Sequence, residues 1–122
     1  MRKIVYEGSR FGEWNPREEE IQLPRHPYYK SKSPIVFAHE LGHAELGHSI
    51  GGSSLVGIIE ERDAWRYALS KLPPEEIDLD FIDFIWDENI YQLHNEREIS
   101  LARKAKNEIM ELAKRKIGGL TK

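Results

Sequence analysis

The chain has 122 residues, of which 39% are apolar and 32% charged, with 18 basic side chains against 21 acidic ones. That supports one modest core but not two, and a net charge of −3 exerts no general pull toward nucleic acid or an anionic membrane. The absence of cysteine excludes disulfides and thiolate metal sites. No apolar leader segment opens the sequence, and no run approaches the roughly eighteen apolar residues of a membrane span. A single cytoplasmic domain over 1–122 is expected, with neither nucleic acid nor membrane as partner.

In chain order, Lys3–Gly8 and Glu18–Leu23 read as short strands. Gly12, Asn15 and Pro16 between them read as loop, which predicts a hairpin. Prolines at 24, 27 and 34 make the next stretch irregular. Ser33-Pro34 then starts a helix, with a hydroxyl cap and a proline where the missing N–H costs nothing. Ser49–Ser54 closes it and caps the next helix, Leu55–Leu72, which stops at Pro73-Pro74. A third helix covers Asp80–Leu93. Asn95 with Glu98 forms a capping box for a fourth, whose stripe of Ile99, Ala102, Ala105, Ile109, Leu112 and Ala113 runs to Gly118-Gly119. The class is α+β: a small antiparallel sheet first, helices after.

The first helix carries the chemistry. In His39-Glu40-Leu41-Gly42-His43, histidines four apart put both imidazoles on one helical face. Two nitrogens so placed can share a zinc ion at about 2.0–2.1 Å. Glu40, beside the first ligand, is placed to take a proton from a metal-bound water and return it to a leaving amine. Gly42 allows another backbone to come close. A chance motif is the alternative, but the pentapeptide follows a helix cap and an apolar run.

Two histidines leave a catalytic zinc site one ligand short. His48 misses the spacing of the metzincin pattern by one residue and reads as an exposed side chain near the helix end. The second helix offers Glu61. At about 100° per residue, Leu72, Ala68, Trp65 and Ile58 all fall within roughly 60° of it, so its carboxylate stands on the apolar face. That position is costly unless something pairs with the charge, and a zinc ion would. Glu60 points to the flank and remains an alternative, as do His94 and His26, or a salt bridge to a basic side chain.

HExxH followed by a glutamate on the next helix resembles the gluzincin metallopeptidases. The segments HELGHAELGH and EERDAWRYALSKLP are similar to the ImmA/IrrE-type peptidases, matching at Glu61, Asp63, Ala64, Tyr67 and Ala68. Trp65 departs from related CAAX-type and HtpX-type enzymes, which have an aspartate there that supports a histidine ligand. The short chain also resembles the minigluzincins. The likeness covers roughly residues 1–75 and implies a zinc metalloendopeptidase acting on an extended polypeptide. In that likeness zinc would be held by His39, His43 and Glu61, with Glu40 as the general base.

By the same resemblance, Glu18–Leu23 is an edge strand that pairs with substrate. On the same likeness residues 1–93 would be the catalytic core and 94–122 a latency segment that covers the site or self-associates by swapping into a second chain; a solvated helix packed by its Ile/Leu/Ala stripe is the alternative. Tyr28, Tyr29, Tyr91 and His94 have the chemistry to stabilise an oxyanion. The cluster of Phe81, Ile82, Phe84, Ile85 and Trp86 reads as core, with covering the cleft or forming a dimer surface as alternatives. A regulatory metal-binding module acting on a transcriptional regulator is the rival function, and a purely structural domain the third.

Overall fold

The computed structural model describes residues 3–9, 13–24, 32–48 and 55–118. Among these residues three strands, β1 (Lys3–Ser9), β2 (Glu13–Asn15) and β3 (Glu20–Pro24), precede four α-helices: α1 (Ser33–Glu45), α2 (Leu55–Lys71), α3 (Leu79–Tyr91) and α4 (Glu96–Gly118). The α+β class and the sheet-then-helices order are as the sequence predicts.

The sheet differs in its pairing. Its order is β1-β3-β2, with β3 parallel to β1 and antiparallel to β2. The hairpin therefore joins β3 to a strand that the Asn-Pro pair disguises as loop. Asn15 ends β2 and starts the turn at once: its Oδ1 accepts from the N–H groups of Arg17 at 3.0 Å and Glu18 at 3.2 Å. Trp14, opposite Ile21, packs with Leu23, Phe37, Leu41 and Ala44 between sheet and α1. That apolar contact outweighs the turn propensity beside it.

β3 is consequently central. Its residues Glu20–Gln22 are paired on both sides, so the expectation that this strand offers an edge to a substrate is overturned.

α1 is apolar nearly all round, as a helix buried between two layers must be. Phe37, Leu41 and Ala44 face the sheet, while Ile35, Val36 and Ala38 join the helical core. The helix starts one residue earlier than its hydroxyl predicts, with Lys32 as N-cap and no side-chain cap bond. It also ends earlier, well before Ser49–Ser54, which lies outside the described residues. Gly47 adopts a positive φ of 68°. Its N–H donates to the Ala44 carbonyl at 3.2 Å, and that of His48 to the His43 carbonyl at 2.9 Å. This is a Schellman turn, which glycine permits because it has no Cβ.

The remaining helices follow their caps. Asp78 accepts from the Phe81 N–H at 3.0 Å to start α3, and its other oxygen pairs with Lys32. Asn95 accepts from the Arg97 N–H at 2.8 Å to start α4. Ala102, Ala105, Ile109 and Ala113 of α4 are buried against the core of Trp65, Phe81, Ile82 and Trp86. Arg66–Glu108 and the donation from Lys116 to the Leu69 carbonyl clamp α4 to α2. The C-terminal helix thus contributes its stripe to the core. No described helix is long and apolar enough to cross a membrane.

Candidate metal centre

Gly42 decides how closely α1 and α2 cross. A Cβ built there would stand 2.6 Å from the Ala64 carbonyl oxygen and 3.1 Å from its Cα, so the two backbones touch. Along α1, His39 stands three residues before this glycine and His43 directly after it, and on α2 Glu61 lies three residues before Ala64. The glycine therefore brings the three side chains within reach of each other.

They meet as a compact triad. His39 Nε2 lies 3.0 Å from Glu61 Oε2, and His43 Nε2 lies 2.9 Å from Glu61 Oε1. Each imidazole faces one oxygen of a single carboxylate, and the ligand-type atoms all fall within 4.8 Å of one another. Ligands about 2.0–2.2 Å from a tetrahedral zinc stand roughly 3.3–3.5 Å apart. The two histidine–carboxylate distances lie a few tenths of an ångström below that spacing, and the donor set, two imidazoles and a carboxylate, suits a divalent ion such as zinc.

Burial and charge work against each other here. The side chains of His39 and His43 are 11% and 12% exposed, and that of Glu61 29%. Burial alone would keep His39 neutral. The Glu61 carboxylate, with Glu40 beside it, overcomes that and raises the His39 pKa to about 10. Burial likewise opposes ionisation of Glu61, yet His39 and His43 hold its carboxyl far below the usual carboxylate range. Without a metal, His39 and Glu61 form an ion pair, and the proton on that imidazole competes with a cation for the same nitrogen.

Each histidine has its own support. The Trp65 ring stacks on His39, with centroids 4.3 Å apart and planes inclined by 16°. Trp65 thus contacts a ligand-type histidine through its ring face. Glu40 Oε1 lies 3.5 Å from His39 Nδ1. On the other side, His43 Nδ1 lies 3.0 Å from His48 Nδ1. His48 is buried, which corrects the expectation of an exposed side chain near the helix end. Burial and the neighbouring His43 push its pKa down.

A cavity of about 290 Å³ opens on the triad. His39, Glu40 and Glu61 stand at one end, Val36, Trp65, Phe81 and Ile85 form its apolar wall, and Glu88, Asn89 and Gln92 line it from the end of α3. In the aromatic cluster of α3, Phe81, Ile82 and Trp86 are core, Phe84 is exposed, and Phe81 together with the half-buried Ile85 also lines the cavity. No α4 residue lines it. A larger hollow of about 580 Å³, at the start of α1, is remote from the triad.

The other candidates stand apart. Glu60 is not part of the cluster, and Tyr91 and His94 are exposed and do not line the cavity. His26, Tyr28 and Tyr29 lie outside the described residues. His48 was within the quoted motif, but only the Gly47 turn, not helical spacing, brings its ring back to His43.

Gly42→Ala tests the crossing. Alanine favours a helix by about 1 kcal/mol over glycine, whereas overpacking against backbone costs about 1–3 kcal/mol. The expected balance is a lower Tm in chelator together with weaker zinc binding, as Glu61 is pushed from the histidines. A higher Tm with unchanged zinc titration would show that close contact is not what assembles the triad.

No family model, curated protein or solved structure matches the chain.

Proposed function

We propose that this protein is a zinc-dependent endopeptidase of the gluzincin type. The observation that carries the reading is the convergence of His39 Nε2 and His43 Nε2 on the two oxygens of Glu61, beside a cavity lined by His39, Glu61 and Glu40. The resemblance of the HELGH segment and the Glu61 segment to ImmA/IrrE-type peptidases supports it.

His39, His43 and Glu61 are the proposed zinc ligands. Bound zinc would supply a Lewis acid that polarises a peptide carbonyl and acidifies water. Glu40 is the proposed general base: it removes a proton from the attacking water and delivers it to the departing amine. The apolar wall of Val36, Phe81 and Ile85 excludes water and receives a substrate side chain, so an extended polypeptide is the proposed substrate.

The test starts from protein stripped by chelation and titrated with zinc. One equivalent per chain is expected, with casein cleaved only by the loaded form and cleavage abolished on renewed chelation. Failure to bind zinc would remove the reading altogether. Stoichiometric zinc with intact casein would leave a metal-binding module without peptidase activity.

A further inference from the structure

We propose that His48 is a positioning residue of this centre, acting as the hydrogen-bond acceptor that fixes the tautomer and ring orientation of His43. The inference rests on the metal-centre reading above and adds a residue to it.

The two nitrogens of His43 face different partners. Nε2 points at Glu61, 2.9 Å away, and so toward the place a metal would take. Nδ1 points away from it, at His48 Nδ1, 3.0 Å away. A histidine ligating through Nε2 offers that lone pair and must carry its proton on Nδ1. Nδ1–H then needs an acceptor, the task that a carboxylate, carbonyl or water performs around most metal-ligating histidines. Only His48 Nδ1 is placed to accept from it among the described contacts, so His48 must keep its own proton on Nε2.

The backbone holds that acceptor in place. The Schellman turn fixes the His48 N–H on the His43 carbonyl at 2.9 Å. From the sheet, the Trp14 indole N–H donates to the His48 carbonyl at 3.2 Å. With both backbone groups of His48 engaged, the two rings meet edge to face at 5.2 Å between centroids. The hairpin's Trp14 therefore braces the ligand helix through His48. On His39 the corresponding nitrogen, Nδ1, faces the Glu40 carboxylate at 3.5 Å, and the ring is held by the Trp65 stack.

Two substitutions separate hydrogen bonding from bulk. In His48→Asn the side-chain oxygen can occupy the place of Nδ1 and still accept. In His48→Phe the ring remains but the acceptor is gone. Zinc affinity of the full chain, measured by competition with a chelating dye, is expected to fall by roughly 10–100-fold in His48→Phe and to stay near wild type in His48→Asn. Nitrogen-15 NMR of the zinc-loaded wild type is expected to find the His48 proton on Nε2. Wild-type affinity in the Phe variant, equal losses in both variants, or a proton on His48 Nδ1 would each overturn the assignment. A wild type that binds no zinc sinks both this inference and the peptidase reading. Zinc bound as expected with casein intact removes the peptidase alone.

Discussion

Glu40→Gln is expected to retain one zinc per chain while casein cleavage falls by roughly 10²–10⁴-fold. The substitution keeps the shape of the side chain and removes its ability to take up a proton. Zinc should stay because Glu40 is not one of the three converging groups; its recorded contact with them is the 3.5 Å approach to His39 Nδ1, on the far side of the ring from Glu61. Loss of the nearby charge lowers the His39 pKa somewhat, which favours the metal over the proton. The measurement is zinc content and turnover on the same preparation. A Gln variant that cleaves casein at the wild-type rate would take the general base away from Glu40 and with it the proposed division of labour.

Sequence periodicity reads helices well and turns poorly, and the centre reflects both. The histidine spacing and the helical wheel around Glu61 are properties of single helices. Ile58, Trp65, Ala68 and Leu72 are all buried as the wheel requires. What joins the helices is less legible. Gly42 signals a close approach, but not that its partner is the Ala64 carbonyl.

His48 escapes detection because one αL residue, Gly47, reverses the chain and brings the ring back onto His43. β2 escapes because the apolar contacts of Trp14 outweigh the turn signal of Asn15-Pro16. The central place of β3 follows from parallel pairing with β1, which no local pattern encodes. The stripe on α4 announces burial but not its partners, α2 and α3. The stripe's own residues, Ala102, Ala105, Ile109 and Ala113, are buried as the spacing predicts.

Removing the shared carboxylate should have the largest effect on the metal. Glu61→Gln is expected to weaken zinc binding by roughly a hundredfold or more, since a full site of several ligands is worth about 10–16 kcal/mol and a carboxamide is a poor substitute for an anion. The same substitution probes the metal-free protein. Breaking a buried ion pair costs about 3–5 kcal/mol, but Glu61 is 29% exposed and glutamine can still hydrogen-bond. A loss of about 1–3 kcal/mol is therefore expected in chelator.

The sign with pH follows from both partners. The raised pKa of His39 stabilises the fold fully below its ordinary 6.5, an advantage lost as pH rises through about 10. The depressed pKa of Glu61 stabilises above its ordinary 4.5, and that is lost as the solution turns more acid. The gap in Tm between wild type and Glu61→Gln, measured by thermal unfolding in chelator, should therefore be widest between those two ordinary values. It should narrow in acid and again toward strongly alkaline solution. A gap that stays constant across that range would mean that Glu61 does not pair with a protonated imidazole. The two rings would then have another reason to point at it, and no proton would compete with zinc for His39 Nε2.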